Sequence, residues 1–190
     1  MNNAFLYAMG GGFPGDVNRT HPAVIEAVAV DTENPPTAYG QAVVLTAGGK
    51  VRRLLAEDTS STINLSNYVS PATVATVIIY GVTVRPFPAQ QSYTPNYCGA
   101  VDGNVMPPQT GYIDVLRQGY INVSSTDSVA EKGQKAFVCL NERNQSEFCV
   151  FSTRLTIDRI LVTNAKYNCA SDSTSDQLTE LVLNIPSNDQ

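Results

Sequence analysis

The sequence predicts an all-β protein, in the form of a β-barrel or a jelly-roll-like sandwich with long loops and an extended N-terminal arm. Charged residues make up only 15% of the 190 residues, whereas ordinary soluble domains contain about 25%. Helical bundles need many Ala, Glu, Lys and Leu residues, but this chain has 13 Gly and 11 Pro. No window shows the apolar spacing of an amphipathic helix. Short β-branched runs end instead at Gly- or Pro-containing turns.

The N-terminal part of the chain is expected to lead into a first strand. Residues 1–23 are interpreted as an arm with a Gly-rich loop, and residues 24–30 (VIEAVAV) as the strand. A hairpin follows, because residues 41–46 and 50–55 flank an Ala-Gly-Gly turn.

The strongest strand signal in the chain is at residues 74–85 (VATVIIYGVTVR). Within it, Gly81 is expected to be a bulge or a point of close backbone approach. The preceding residues 58–67 are rich in Ser, Thr and Asn and are predicted to be a polar loop.

The character of the sequence changes at residues 86–111, which contain many Pro and Tyr residues and no strand or helix period. A long excursion of this kind is either a binding arm or a connecting loop, and long structureless loops are often functional. Both interpretations stay open.

A second group of strands follows. Residues 112–123 alternate apolar and polar side chains around Gly119, which predicts two strands or one bulged strand. Further strands are predicted at residues 136–140, 148–151, 155–162 and 181–185. Residues 24–186 are interpreted as a single β domain and residues 187–190 as a frayed tail, although two small β domains would fit the same pattern.

Four cysteines are spread along the chain without a metal-ligand spacing. The N-terminal stretch lacks the basic region of a secretory signal, so we expect synthesis in a cytoplasm and free, buried thiols. Cys139 and Cys149 could still oppose each other across a hairpin, and the sequence leaves their pairing open.

Catalytic constellations are not predicted. His21 is the only histidine, and it is interpreted as a surface or capping residue because no nucleophile elbow accompanies it. Asp102 and Asp114 bracket the Pro-rich stretch without a predicted pairing, and the adjacent Glu57 and Asp58 are expected to be solvated. The glycine clusters lack the P-loop pattern. We therefore predict no enzyme, no cofactor and no metal.

The charge distribution indicates protein contacts instead. The net charge of −5 disfavours nucleic-acid binding, and no apolar run is long enough to cross a bilayer. Arg outnumbers Lys by eight to four, and nine Tyr are present. Both residue types are enriched at protein interfaces. Arg52 and Arg53 are among the candidates for this reason, with ordinary strand-edge charge as the alternative.

Five segments resemble, in their order and spacing, the structural cement (decoration) proteins of tailed bacteriophages. They are residues 14–19 (PGDVNR), 80–88 (YGVTVRPFP), 111–123 (GYIDVLRQGYINV), 132–138 (KGQKAFV) and 163–167 (TNAKY) with 178–185. Residues 90–110 depart from the family pattern. The resemblance implies a small β-barrel or jelly-roll-like protein on the outer surface of an icosahedral capsid in the virion. Such a protein would bridge neighbouring copies of the major capsid protein as a dimer or trimer and would be made in the bacterial host cytoplasm.

Candidate interface residues combine the arginines with the aromatic residues of the loops. They are Phe13, Arg19, Arg85, Phe87, Tyr93, Tyr97, Tyr112 and Arg117. The alternative function is a carbohydrate-binding jelly-roll domain of a virion or an adhesin, although the chain lacks Trp. A hydrolase on a β scaffold is the third hypothesis.

Overall fold

The fold is described from a computed structural model. It describes residues 13–19, 22–58, 61–65, 72–86, 106–125, 130–140, 151–153, 159–168 and 178–185.

The described chain is built from β-strands, which confirms the predicted all-β class. The one helical element among these residues is a single 3₁₀ turn at Ala56–Asp58. The strands are β1 (Val24–Ala29), β2 (Ala42–Leu45), β3 (Val51–Arg53), β4 (Ser61–Leu65), β5 (Ala72–Val77), β6 (Gly81–Thr83), β7 (Tyr112–Ser124), β8 (Lys135–Cys139), β9 (Phe151–Ser152), β10 (Arg159–Tyr167) and β11 (Leu178–Leu183).

These strands form one hydrogen-bonded sheet, whose main path is β3-β2-β6-β7-β11-β10-β5-β4. β1 pairs with β7, β8 pairs with β10, and β9 pairs with β8. The pair formed by β10 and β5 is parallel, and the other strand pairs are antiparallel. Within the described residues β3 and β4 do not pair at the ends of the path. The sheet is therefore open, which agrees with the sandwich form of the prediction rather than the closed barrel.

β7 is the central strand of the molecule and is continuous over the whole predicted region. Its first half pairs with β1 and β6, and its second half pairs with β11. The change of partner falls at Gly119, which has φ 138°. A Cβ atom there would lie 2.9 Å from the carbonyl oxygen of Pro22. Glycine therefore allows one strand to bend close to the neighbouring chain, where β1 has a bulge at Val24.

Two further predictions concern the region before β7. The hairpin of β2 and β3 is confirmed. The polar-loop prediction for residues 58–67 is wrong, because residues 61–65 form β4 and pair with β5. The strong signal at 74–85 is divided between β5 and β6, and Gly81 begins β6 at a close approach: a Cβ atom there would lie 2.4 Å from the carbonyl oxygen of Leu116.

In the second half of the chain the strands are close to the predicted positions but shifted. β8 begins one residue before the predicted strand, at Lys135. β10 extends beyond the predicted end to Tyr167, and β11 already begins at Leu178. Part of the predicted strands 148–151 and 155–162 lies outside the described residues, as does the tail 187–190.

The apolar side chains form two clusters. The larger one draws on β7, β9, β10 and β11 and contains Leu116, Phe151, Tyr167 and Leu181, all nearly inaccessible to solvent. The smaller one is formed by Val30, Val43, Val51, Ile113 and Val115, next to β1 and β7. Burying one such side chain contributes about 1.5–3 kcal/mol, so these clusters hold β7 and its neighbours in fixed positions. No helix in the described part of the chain is long and apolar enough to cross a membrane.

Candidate functional site

Residues 13–19, which we call the N-terminal segment, lie along the second half of β7. Val17 forms an antiparallel bridge with Ile121. The Gly15 N–H donates to the Asn122 carbonyl oxygen at 2.8 Å, and the Asn122 N–H donates to the Asp16 carbonyl oxygen at 2.9 Å. The segment therefore occupies the edge of β7 that lies opposite β11.

Side chains attach the end of this segment to the sheet through a buried carboxylate. Glu180 on β11 has a side chain that is only 9% exposed. Its oxygens accept hydrogen bonds from Asn18 at 3.1 Å and from Arg19 at 3.2 Å, and a further one from Asn168. Asn18 also donates to Asn122. We call these five residues the Glu180 cluster.

Glycine is required where the N-terminal segment meets the loop before β2. Gly15 has φ 89° and Gly40 has φ 74°. A Cβ atom on Gly15 would lie 2.8 Å from Cβ of Tyr39 and 2.9 Å from the backbone nitrogen of Arg85. The Gly15 carbonyl oxygen accepts a hydrogen bond from that same Arg85 nitrogen at 2.9 Å. The segment, the loop and the end of β6 are thus packed backbone against backbone.

This packing brings together two of the predicted interface residues, Phe13 and Arg85. The guanidinium of Arg85 lies over the Phe13 ring, 4.1 Å from its centroid. Phe13 is 44% exposed. Among the described residues, Arg85 has no carboxylate within ion-pair distance, and its Nε and Nη1 atoms are buried without a hydrogen-bond acceptor. Within the described part of the chain, this guanidinium therefore lies on a partly exposed ring with no carboxylate at ion-pair distance.

The other two predicted arginines also lie on aromatic rings, but each has an acidic partner. Arg19 lies 4.2 Å from the Tyr120 centroid and pairs with Glu180. Arg117 lies 3.8 Å from the Tyr80 centroid and pairs with Glu26 at 2.9 Å. Their charges are satisfied within the molecule.

Arg117, Tyr80 and Glu26 form one hydrogen-bonded group. The Tyr80 hydroxyl donates to Glu26 at 2.7 Å. This bond and the one from Arg117 hold the pKa of Glu26 below its ordinary value. The same bond to Glu26 raises the pKa of Tyr80. Both shifts favour the charged carboxylate and the protonated phenol, which is the state that keeps the group together.

Of the remaining predicted residues, Tyr112 is described and three are not. Tyr112 begins β7 with 73% of its surface exposed, and its neighbour across the pair is Ala29 of β1. Phe87, Tyr93 and Tyr97 lie outside the described residues, so their interface assignment stays a prediction.

Arg52, a further candidate, has a partner that the sequence analysis missed. Its guanidinium binds both carboxylate oxygens of Asp58, at 2.7 and 2.6 Å, and each side chain is 15% exposed. Asp58 also accepts the Leu55 N–H. The expectation that Asp58 is solvated is therefore wrong. The 3₁₀ turn brings the chain back towards β3. The only sequence signal for the Arg52–Asp58 pair was that the two opposite charges are six residues apart.

Sequence reasoning also missed Tyr80, Tyr120, Glu26 and Glu180 as partners of the predicted arginines. Pairing of β1 with β7 brings Glu26 to Arg117, and the backbone contacts of the N-terminal segment with β7 bring Arg19 to Tyr120 and Glu180. The strand register decides these contacts, and the residue types alone do not contain it.

The acidic residues and cysteines of the described chain do not gather into a metal site. In this part of the chain, no group of three or more His, Cys, Asp and Glu side chains could hold a metal ion. Cys139 is a buried free thiol at the end of β8. His21, Asp102 and Cys149 lie outside the described residues, and Asp114 is exposed on β7.

The fold and this surface define an all-β protein that carries arginines on aromatic rings, and both residue types are enriched where proteins meet. Over residues 1–184, the chain matches the family described as structural cement protein (E217 gp24/Pam3 gp6). The chain therefore belongs to the structural cement protein family, which confirms the resemblance. Membership implies a structural role in association with the capsid of the virion.

A solved structure supports the fold. A chain from "The capsid of Myoviridae Phage XM1" is similar to this one with a TM-score of 0.55 and 15% sequence identity, over 97% of each chain. At this identity the likeness concerns the fold alone. No curated protein is significantly similar in sequence.

Proposed function

We propose that this protein binds the outer surface of a phage capsid and clamps adjacent major capsid subunits, without enzymatic activity. It acts as a dimer or trimer and is made in the host cytoplasm before it joins the particle. Membership in the structural cement protein family supports the capsid role. That membership also favours this function over the carbohydrate-binding alternative.

The Phe13–Arg85 stack is the observation that supports a contact with the capsid at this surface. Arg85 has no acidic partner among the described residues, and Phe13 is exposed beside it. The buried Nε and Nη1 atoms of this guanidinium still lack an acceptor in the described part of the chain, and because the ring holds the side chain in place, little side-chain entropy remains to be lost on binding. The partner group that fits this surface is an acidic side chain next to an apolar one.

The backbone explains why this contact would resist load. Phe13 precedes Gly15, whose backbone bonds join β7 and the end of β6. A pull on the N-terminal segment is therefore distributed over the sheet and the Glu180 cluster rather than over a free loop. Identical contacts repeated over a shell add up to strong attachment even when each one is weak. The net charge of −5 disfavours binding to packaged DNA.

Binding to closed particles that lack the protein tests this proposal. We expect saturable, stoichiometric binding in co-sedimentation, with the protein accessible to antibody on the particle exterior. Arg85→Gln should weaken binding about 30-fold or more, because loss of one partner of a desolvated ion pair costs about 2–5 kcal/mol. Arg85→Lys keeps the charge but not the planar fork, so its affinity for the particle should lie between those of the wild type and Arg85→Gln.

Lys132→Gln is the matched control, since it removes the same charge from an exposed turn. We expect wild-type binding from this variant. Circular dichroism melts of all variants show whether they are folded. Equal binding by folded Arg85→Gln and wild type would remove Arg85 from the contact. Absence of any particle binding by the wild type, or binding to glycans on an array instead, would refute the proposed function.

A further inference from the structure

The side of β1 that faces away from β7 is an open edge of the sheet within the described residues. β1 pairs with β7 through Val24–Ala29, and within the described residues no strand pairs with its other side. The exception is at its end, where Val30 bridges Val51 and the Asp31 N–H donates to the Val51 carbonyl oxygen at 2.8 Å.

The direction of the backbone groups along this edge follows from two hydrogen bonds. The Val30 N–H points towards β7, where it donates to Gly111, and the Asp31 N–H points the other way, to Val51. Successive residues of a strand alternate in this respect. The N–H and C=O groups of Ile25 and Ala27 therefore point outward from the open edge, and those of Glu26 point towards β7.

Beyond the bulge between Val24 and Ile25, this edge lacks the features that normally prevent strand addition. Edge strands are usually protected by Lys, Pro or an unpaired inward charge, whereas β1 has the sequence VIEAVA. Its one charge, Glu26, is neutralised by Arg117. Val24 and Ile25 are 44% and 45% exposed. From Ile25 onward the edge therefore has a single charge, which is paired, together with an exposed apolar side chain and backbone groups free to form hydrogen bonds.

We propose that β1 is the self-association edge of this protein, where two copies pair β1 with β1 antiparallel about a two-fold axis at Ala27. This deepens the self-association part of the proposed function and rests on it. In this register Ala27 lies opposite the partner's Ala27, and Ile25 opposite the partner's Ala29. The smallest side chain thus lies on the axis, and Glu26 faces Val28 of the partner subunit rather than a second carboxylate.

Other symmetric registers use the edge less well. An axis at Ile25 would place the pairing on the bulge between Val24 and Ile25. An axis at Ala29 would compete with the Val30–Val51 bridge. Among the axes at outward-pointing residues, the one at Ala27 uses the whole open stretch, and an axis at Glu26 would place two carboxylates opposite each other.

The same register covers the most exposed aromatic side chain of β7. Tyr112 is the neighbour of Ala29 across the β1–β7 pair. Because Ile25 would lie opposite the partner's Ala29, the partner's Tyr112 would extend over that small residue towards Ile25. Asp114, the neighbour of Ala27, would be three strand spacings from its symmetry mate, about 14 Å, which is beyond the screening length of about 10 Å.

A symmetric disulfide tests this register. Directly opposed residues whose outward groups hydrogen-bond have Cα atoms about 5.5 Å apart, within the range of about 4.4–6.8 Å that a disulfide accepts. Mild oxidation of the Ala27→Cys variant should therefore give a covalent dimer, in which mass spectrometry finds two copies of the same peptide linked through position 27. Ala29→Cys is the matched control. Its two introduced thiols would be four residue steps apart, about 14 Å, and should not link.

Sedimentation of the purified protein provides the second measurement. We expect a concentration-dependent dimer for the wild type. Ala27→Lys should dissociate it at least about tenfold more readily, because like charges would meet at the axis, with unchanged circular dichroism.

Three results would overturn the proposal: a protein that is monomeric at all concentrations, a dimer whose Ala27→Cys variant does not link at position 27, or equal linking by the Ala29→Cys variant. Hydrogen exchange of the β1 amides gives a further check. Amides that are protected from exchange on capsids but not in the free protein would also overturn the proposal, since a capsid strand would then be the occupant. Capsid binding is measured separately, so failure of self-association and failure of the capsid role are distinguishable.

Discussion

Replacement of Gly15 by Ala tests whether the N-terminal segment is integral to the fold. Gly15 has φ 89°, a conformation that costs an L-residue about 1–2 kcal/mol. The added methyl would also meet Tyr39 Cβ at 2.8 Å and the Arg85 nitrogen at 2.9 Å. Both contacts involve atoms close to or in the backbone, which cannot turn away.

The expected loss follows from these two contributions. Overpacking of a well-packed site costs about 1–3 kcal/mol, so Gly15→Ala should lower the free energy of unfolding by about 2–5 kcal/mol. For a chain of this size each kcal/mol shifts Tm by about 2–4 °C. Urea unfolding followed by circular dichroism measures the difference directly.

Gly49→Ala is the matched control, because Gly49 also has a positive φ, 73°, but no atom lies within 4 Å of the added methyl. It should lose only the conformational part, about 1–2 kcal/mol. The capsid affinity of Gly15→Ala should fall as well, since Phe13 depends on the same packing. Equal stability losses in the two variants would refute the crowded junction and the anchoring role assigned to it.

Three further changes have defined outcomes. Asp58→Asn should lower the free energy of unfolding in urea by about 1.5–3 kcal/mol, because charged hydrogen bonds at a site only 15% exposed are broken. Glu57 is 76% exposed and lies 3.9 Å from Arg52, so Glu57→Gln should change the stability little. Equal effects of the two substitutions would contradict the Arg52–Asp58 pairing. Glu180→Ala should accelerate trypsin cleavage after Arg19, since the segment loses its carboxylate anchor; an unchanged rate would remove the cluster from that role. The lowered pKa of Glu26 contributes stability that is present above its ordinary value of 4.5 and is lost as pH falls through the lower folded value. The Tm of Glu26→Gln should therefore decline less below pH 4.5 than that of the wild type. The same decline of Tm in both proteins would contradict the Tyr80–Glu26–Arg117 group.

A strand could be predicted where its own residues have a strand pattern. β1, the β2–β3 hairpin and the long β7 have β-branched alternation or turn glycines in their own sequence. β4 could not be found this way, because its residues (STINL) are mostly polar and it is specified by pairing with β5. The division of residues 74–85 between β5 and β6 likewise depends on partners that lie elsewhere in the chain.

The candidate site was predicted as separate residues rather than as contacts. Phe13 and Arg85 were both identified by residue type, yet they lie far apart in the sequence and only the glycine junction brings them together. For Arg117 the type indicated an interface, whereas the structure gives it an internal partner in Glu26. Register and close approach, which depend on the whole sheet, decide which arginine keeps its charge available.

Capsid melting tests the central claim most directly. Calorimetry compares closed particles without the protein, with the wild type at saturation, and with Arg85→Gln at the same total concentration. A clamp that joins adjacent subunits must raise the melting temperature of the shell in proportion to occupancy, with a smaller rise for the variant. Stoichiometric binding of the wild type that leaves the melting temperature unchanged would contradict the clamp.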